Sequence, residues 1–475
     1  LRRSRFFLFG FIVILILCLL IFWAPKKDKA STPISRMAPI DEAYERILNS
    51  SVHSVEGDKL IEGALRGMTE TIGDPYSKYM TKDEAKSHRE SLSDERVGIG
   101  LEIVQNKGRF IVVTPMKESP AEKAGVKPYD EIVRVDGERL EGKSLSQLLS
   151  AIKGKKGTSV TLTVFRETDN RHMELNMIRS SLQIHTVTSE RIEQDESSIG
   201  YVSISLFGEK TAEEWEKQTR TLVKQGIDGL LIDVRGNPGG YLHSVEQVIG
   251  TMLKNGQIYA YMQDPKGVLE PLSVTVTEED DYLKVMNKIP IVLLQNEGSA
   301  SASEVLSGAL KSNQRALISG SKSFGKGTVQ ETWELTNGGE VKLSSHKWLT
   351  PKQQWIHGTG IQADFEVEAS ELFQMEPLPI SGSYQVGDFH EDVMYGQKVL
   401  KALGYSISRE DGYFDEVTAK AVLAFKKEKK LKSEATMDNL FNRELRETIL
   451  TYKKSKKNDN QLQMSLGYLF HSIQK

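Results

Sequence analysis

The chain has 475 residues, enough for about three domains at ~150 residues each. Its 62 Lys and Arg nearly cancel 65 Asp and Glu, a formal net charge of −3, so no broad basic field exists for binding nucleic acid by phosphate neutralisation. The composition, 39% hydrophobic and 27% charged, is that of a folded protein. The single cysteine, Cys18, excludes an intramolecular disulfide framework and a Cys-rich zinc site, and no metal or cofactor is expected.

After a short cytoplasmic tail, 1–5, Phe6 to Ala24 carries no charge, and its nineteen residues would span about 28 Å as a helix. The segment is longer than a signal-peptide core, and Phe22-Trp23-Ala24-Pro25 is a poor cleavage site, so an uncleaved transmembrane helix is expected. Flanking charges are balanced, but long following domains translocate largely regardless of charge, and the residues after Cys18 lack cysteine. The expectation is a single-pass protein of the cell membrane, its amino terminus inside and everything after the span outside the cytoplasm. Residues 25–39 read as a linker and 40–92 as a helical region, with apolar residues such as Leu60, Ile61, Ala64, Leu65 and Met68 at helical spacing and a turn at Asp74-Pro75.

From 93 to 182 the pattern becomes short strands with two short helices, one of them Leu145 to Ile152. Within 183–375, strand-like and helix-like runs alternate. The continuous apolar runs Gly229 to Val234 and Ile289 to Leu294 predict a sheet covered on both faces, with helices at Ser244 to Met252 and Ala302 to Leu310. A Pro-containing linker, 376–391, precedes a helical module, 392–450, and 451–475 reads as a polar tail.

Chemistry concentrates in two segments. In Asn296-Glu297-Gly298-Ser299-Ala300-Ser301-Ala302-Ser303-Glu304, a buried strand runs into a helix. Ser301-x-x-Glu304 is a capping box, but a serine at a strand-to-helix turn is also placed as a nucleophile beside unpaired N–H groups that can bind an oxyanion. Three serines alternate here, and the residues alone do not choose among them. In Ser323-Phe324-Gly325-Lys326-Gly327-Thr328-Val329-Gln330, a lysine between two glycines can thread close to a neighbouring backbone. As a base it would have to be neutral near pH 7, which costs about 4 kcal/mol and is within reach of burial. His243 and His346 are the alternative bases. Gly320-x-x-x-x-Gly325-Lys326 begins like a phosphate-binding loop, but Gly327 stands where Ser or Thr is needed, which argues against nucleotide binding.

These segments carry a resemblance. Ser301 to Lys326 is 25 positions and Lys326 to Gln330 four, as in the carboxy-terminal processing (tail-specific) peptidases with a Ser–Lys–Gln site. Further similar motifs are Gly63-Ala64-Leu65-Arg66-Gly67-Met68, Asp74-Pro75-Tyr76-Ser77-Lys78-Tyr79, Asp233-Val234-Arg235-Gly236-Asn237-Pro238-Gly239-Gly240, Trp348-Leu349-Thr350-Pro351 and Gly358-x-Gly360-Ile361. Tyr76 for His, Lys352-Gln353 for Asn-Gly and Ala363 for Pro depart from the family pattern. The resemblance implies that Ser301 forms an acyl-enzyme, that Lys326 is general base and acid, and that Gln330 orients Lys326 from the same face of a strand. It also implies an oxyanion hole from the N–H of Ala302 and of Gly239 or Gly240.

Residues 93–182 resemble a PDZ domain, with Gly98, Ile99, Gly100 and Leu101 at the loop that would bind a peptide C terminus. Arg166 is expected to report ligand binding by bonding across to the protease core. Asp411 to Phe425 resembles the helical peptidoglycan-binding repeat, with Asp415 for Gly, Lys426 for Gln and Glu434-Ala435 for a second Asp-Gly as departures.

The fold expected is an α/β protease core with an inserted β-rich PDZ domain, an N-terminal transmembrane helix and helical N- and C-terminal regions. The function expected is a membrane-anchored serine endopeptidase that selects extracytoplasmic proteins by an exposed, free, apolar C terminus. Its expected partners are those substrates, the membrane, peptidoglycan and a second copy in a homodimer, with no nucleic acid. The alternative is a catalytically silent PDZ and wall-binding scaffold.

Overall fold

A computed structural model describes residues 37–474 apart from 93–94, 107, 167–168, 170, 184, 195–196, 277–279, 379, 381 and 433. The expected transmembrane span, 6–24, lies outside the described residues. Among the described residues no helix is long and apolar enough to cross a membrane.

The chain divides into two compact units, the boundary falling between Tyr79 and Met80. In the first, α1 (Ala38–Ser50) and α2 (Gly57–Glu70) divide the predicted helical stretch at 51–56. α1 buries no residue and α2 only Thr69, while Ile40, Ile47, Leu48, Ile61 and Met68 are exposed.

The second unit begins with α3 (Lys82–Leu92), followed by β1 (Glu95–Gly98), β2 (Leu101–Asn106), β3 (Arg109–Pro115), α4 (Pro120–Lys123), β4 (Glu131–Val135), β5 (Glu138–Arg139), α5 (Leu145–Ile152), β6 (Ser159–Arg166), β7 (Arg171–Ile178) and β8 (Ser180–Gln183). β1 pairs antiparallel with β8, so this domain leaves and rejoins the chain through adjacent strands. Its sheet runs β2-β3-β4-β6-β7 and encloses Phe110, Val112, Ile132, Leu148, Leu162 and Val164.

The α/β core comprises β9 (Val187–Gln194), β10 (Ser197–Ile204), α6 (Thr211–Lys224), β11 (Gly229–Asp233), α7 (Leu242–Gly250), β12 (Ile258–Gln263), β13 (Leu269–Ser273), α8 (Asp281–Met286), β14 (Ile291–Gln295), α9 (Ala302–Ser312), β15 (Leu317–Gly320), β16 (Thr328–Glu334), β17 (Glu340–Leu349) and β18 (Phe365–Glu366). Its six-stranded sheet has the order β9-β10-β11-β14-β15-β18, parallel except for the antiparallel β9–β10 pair. β12, β13, β16 and β17 form an antiparallel group beside it.

Alternate residues of the parallel strands face opposite cores, as the two-residue period of a strand requires. Leu230, Ile232 and Leu293 face α6, α7 and α9. Leu231, Val292 and Leu294 pack instead on Leu462, Leu466, Leu469 and Phe470. Those four belong to the last helix, and here the expectation of a polar tail is corrected. Past α10 (Glu371–Gln374), α11 (Glu391–Ala402), α12 (Glu416–Glu428) and α13 (Asn439–Lys454), residues Asn460–Ile473 form α14, which covers the second face of the sheet. Its apolar residues recur at i, i+4, i+7 and i+8, one helical stripe.

α11, α12 and α13 share a separate core around Phe414, Val422, Phe425, Phe441 and Leu445. Two of the three departures from the peptidoglycan-binding pattern have structural uses there. Asp415 caps α12 by accepting the Thr418 N–H at 2.7 Å, and the buried Lys426 ammonium donates to Asp438 at 2.7 Å.

Candidate active site

Three loops leave the carboxyl ends of neighbouring parallel strands: 234–241 after β11, 296–301 after β14 and 321–327 after β15. In an open α/β sheet that edge is where ligands bind.

The first two loops interlock. Gly236 N–H donates to Asn296 Oδ1 at 2.8 Å, and Ala300 N–H to Asn237 O at 3.0 Å. Of the three alternating serines, Ser299 and Ser303 are fully buried and committed to structure. Ser299 Oγ donates to Val234 O at 2.7 Å and Ser303 Oγ to Asn237 O at 3.0 Å. Ser301 is only partly buried and stands at the start of α9 with φ 56° and ψ −114°. A non-glycine residue rarely adopts that conformation, and a nucleophile on a sharp strand-to-helix turn does.

The third loop is held against the start of α9 by Glu304, a fully buried carboxylate. Its Oε2 accepts the N–H of Ser301 at 2.9 Å and of Lys326 at 2.8 Å. Its Oε1 accepts the Ser323 hydroxyl at 2.6 Å and the Gly325 N–H at 2.7 Å. From the other side, the Trp348 indole donates to Lys326 O and the Trp355 indole to Gly327 O, each at 2.8 Å. Gly358 N–H bonds Gly325 O, and Ile361 N–H bonds Ser323 Oγ. The lysine loop thus threads between Glu304 and the segment containing Gly358-x-Gly360-Ile361. Sequence reasoning read Glu304 only as half of a capping box. The capping box accounts for the Ser301 N–H, but the other three donors come from residues 19 to 22 positions away, and no local pattern reveals them.

Gln330 requires a correction of detail. β16 begins at Thr328, so Lys326 precedes the strand, and the pairing slips between Val329 and Gln330. Strand periodicity therefore does not place the two on one face. The Gln330 amide nitrogen donates to Thr328 O and Oγ1 and to Ser344 Oγ, at 3.0 to 3.2 Å.

The glycine pair is also resolved. Gly239 has φ 103°, and a Cβ there would lie 2.7 Å from both Ala300 O and Ser301 Cβ, so the residue must be glycine for the loop to reach the serine. Its N–H, however, donates to Asn237 Oδ1 at 2.9 Å and is not available to an oxyanion. The N–H groups of Gly240 and Ala302 have no acceptor among the described residues.

In the β-rich domain, Gly100 has φ 75° and packs against Ser119. The loop's carbonyls are tied down, Ile99 O by Ala121 N–H and Gly100 O by Met116 N–H, each at 2.9 Å. The N–H groups of Ile99 and Gly100 have no acceptor among the described residues. Gly98 ends β1 and Leu101 opens β2 on either side of them. Among the described residues, Arg166 has no hydrogen bond across to the core. It is buried at the end of β6 and holds Asp130 through two bonds of 2.8 and 2.7 Å, with a third to Gly125 O at 2.8 Å, all inside its own domain.

Residues 198–367 match peptidase family S41, 97–177 the PDZ domain, 389–440 a putative peptidoglycan binding domain, and 23–84 the N-terminal domain of the activating protease CtpB. The chain is 40% identical to the carboxy-terminal processing protease CtpB of Bacillus subtilis (strain 168), across 94% of this chain and 90% of that protein. To the carboxy-terminal processing protease CtpA of the same organism it is 34% identical, across 93% and 92%. The solved photosystem II D1 C-terminal processing protease is 28% identical, with a TM-score of 0.44, across 68% of this chain and 85% of that one. The chain belongs to peptidase family S41, as a carboxy-terminal processing serine protease with a PDZ domain and a domain of the peptidoglycan-binding type.

Proposed function

We propose that this protease is a membrane-anchored endopeptidase acting outside the cytoplasm, with Ser301 as nucleophile and Lys326 as general base. The observation that supports the reading is the single Glu304 oxygen that receives both the Ser301 and Lys326 N–H groups, because it holds the backbones of these two residues side by side at the carboxyl edge of the sheet. Ser301 Oγ attacks the peptide carbonyl as Lys326 takes its proton. The N–H groups of Ala302 and Gly240 receive the oxyanion, and Lys326 then protonates the departing amine. A water activated by Lys326 hydrolyses the acyl-enzyme. Gln330, its amide nitrogen already engaged, offers its carbonyl oxygen to orient the lysine.

The PDZ domain is proposed to select substrates by a free apolar C terminus and to gate the site. The backbone around Ile99 and Gly100 would take the carboxylate, and the neighbouring strand edge the extended peptide. Arg166 holds the Lys127–Asp130 turn through Asp130, and its part in gating is proposed to run through that turn. The exposed apolar residues of α1 and α2 support self-association as a homodimer, and the resemblance of α11 to α13 supports docking on peptidoglycan. Family membership as a serine protease weighs against a silent scaffold.

The test uses the full chain in detergent, wild type beside Ser301→Ala, with an unfolded substrate ending in apolar residues and carrying a free or amidated C terminus. Cleavage lost in the variant and weakened by amidation is the expected result. Equal cleavage of both substrates removes the carboxylate-reading role from Gly98 to Leu101, and cleavage by Ser301→Ala removes the nucleophile.

A further inference from the structure

The last helix does more than cover the sheet, because the residue that caps it reaches the loops of the candidate site. Asp459 is the N-cap of α14, and its Oδ1 accepts the Leu462 N–H at 3.0 Å. The same carboxylate receives two donors from Arg235, Nη1 to Oδ1 at 2.9 Å and Nη2 to Oδ2 at 2.7 Å. Gln461 Oε1 accepts from Nη1 at 3.2 Å, while its Nε2 anchors on Val367 O. On its other side the guanidinium is gripped by Asp233 at 2.7 to 3.1 Å. Both carboxylates are buried, Asp233 at 4% exposure and Asp459 at 7%. Burial alone would lower the Arg235 pKa, but hydrogen bonds and charge from Asp233 and Asp459 outweigh it and hold the guanidinium protonated. A planar fork between two carboxylates has little rotational freedom.

Arg235 lies two residues before Asn237, whose carbonyl receives Ala300 N–H and Ser303 Oγ and whose Oδ1 receives Gly239 N–H. The loop then presents Gly240. Fixing the guanidinium from behind therefore fixes the backbone that abuts Ser301.

We propose that Asp459 is a positioning residue for proteolysis: the carboxy-terminal helix, through the Asp459–Arg235 pair, holds the 234–240 loop in register with Ser301. The proposal rests on the assignment of Ser301 and Gly240 given above. It concerns transition-state geometry, so its signature is a fall in kcat with KM maintained, whereas a purely structural role shows as lost stability.

Asp459→Asn and Asp459→Ser separate the two, since both residues retain the helix cap and neither supplies the anionic fork for Arg235. In the full chain, each is expected to lower kcat by about tenfold to a hundredfold, with KM within about twofold and a melting temperature close to wild type. Leu466→Ala, inside the packing of α14, is expected to lower the melting temperature by several degrees while leaving kcat unchanged at temperatures where the protein is folded. Wild-type kcat in either folded Asp459 variant overturns the proposal. So does a kcat loss in Leu466→Ala as large as in Asp459→Asn, because the effect would then follow stability. Ser301→Ala is assayed alongside, and turnover remaining there removes the underlying assignment irrespective of what Asp459 does.

Discussion

Glu304 accepts the backbone N–H of Lys326 at 2.8 Å through the same oxygen that accepts the N–H of Ser301. The helix start that carries Ser301, the proposed nucleophile, and the loop that carries Lys326, the proposed base, therefore hang on one carboxylate. A buried carboxylate is costly unless its lone pairs are filled, and four donors fill these. The charge is solvated by the elements it joins, so the joint is stiff.

Glu304→Gln tests the joint. The amide retains one acceptor oxygen and turns an NH2 toward two N–H donors, or toward Gly325 N–H and the Ser323 hydroxyl. The expected cost is about 2–4 kcal/mol of stability from buried groups left unpaired. Acylation should also slow by about a hundredfold through misplacement of Ser301 against Lys326. Urea midpoints and single-turnover acylation read the two effects separately. A variant with wild-type acylation would show that the carboxylate only caps the helix.

The backbone of Ser301 makes a prediction of opposite sign. At φ 56° and ψ −114° a residue with a Cβ is strained by about 1–3 kcal/mol, and glycine is not. Ser301→Gly is expected to abolish turnover and yet gain about 1 kcal/mol of stability, after the extra freedom glycine has in the unfolded chain is subtracted. Ser301→Ala should abolish turnover without that gain, since alanine keeps the Cβ. Denaturation of the three proteins side by side checks this. Equal midpoints for the two variants would mean that the turn stores no strain.

The parallel strands of the core were readable because Gly229 to Val234 and Ile289 to Leu294 are continuously apolar, and such strands need cover on both faces. The cover for one face was not recognised. Leu462, Leu466, Leu469 and Phe470 form a helical stripe, but Gln463 and Ser465 lie between them and Asn458-Asp459-Asn460-Gln461 and the lysine-rich 453–457 precede them, so the segment reads as polar. The site was legible as residue types and spacing, and its geometry was not. Ser299, Ser301 and Ser303 differ only in backbone torsion and in what their hydroxyls meet. Whether the Gly239 or the Gly240 N–H faces the site depends on where the Asn237 side chain turns. Arg166 is a plain strand-end arginine until Asp130, 36 positions earlier, is brought beside it. In each case the deciding partner is distant in sequence, and only the packed fold supplies it.

The return from the PDZ domain to the core carries a pH-dependent contact. Glu214 on α6 accepts the Thr186 N–H at 2.8 Å and the Val187 N–H at 3.0 Å, and its other oxygen meets His185 Nδ1 at 2.8 Å. Desolvation is the largest single influence on this carboxyl and would raise its pKa. The hydrogen bonds from His185, Val187 and Thr186 together outweigh it, and the pKa is lowered. A carboxyl whose folded pKa lies below its unfolded value contributes stability that is present above the unfolded value, about 4.3. That stability is lost as pH falls through the folded pKa. Glu214→Gln should therefore be less stable than wild type by about 1–2 kcal/mol near neutral pH, where charged acceptors are replaced by a neutral one. As pH falls from about 4.3 through the lowered folded pKa, the wild-type advantage is lost and the two proteins should converge. Urea unfolding of both across the acid range measures the gap directly. A gap that stays constant down to about pH 2.5 would mean that Glu214 holds the start of β9 by shape and hydrogen bonding alone, with no contribution from its charge.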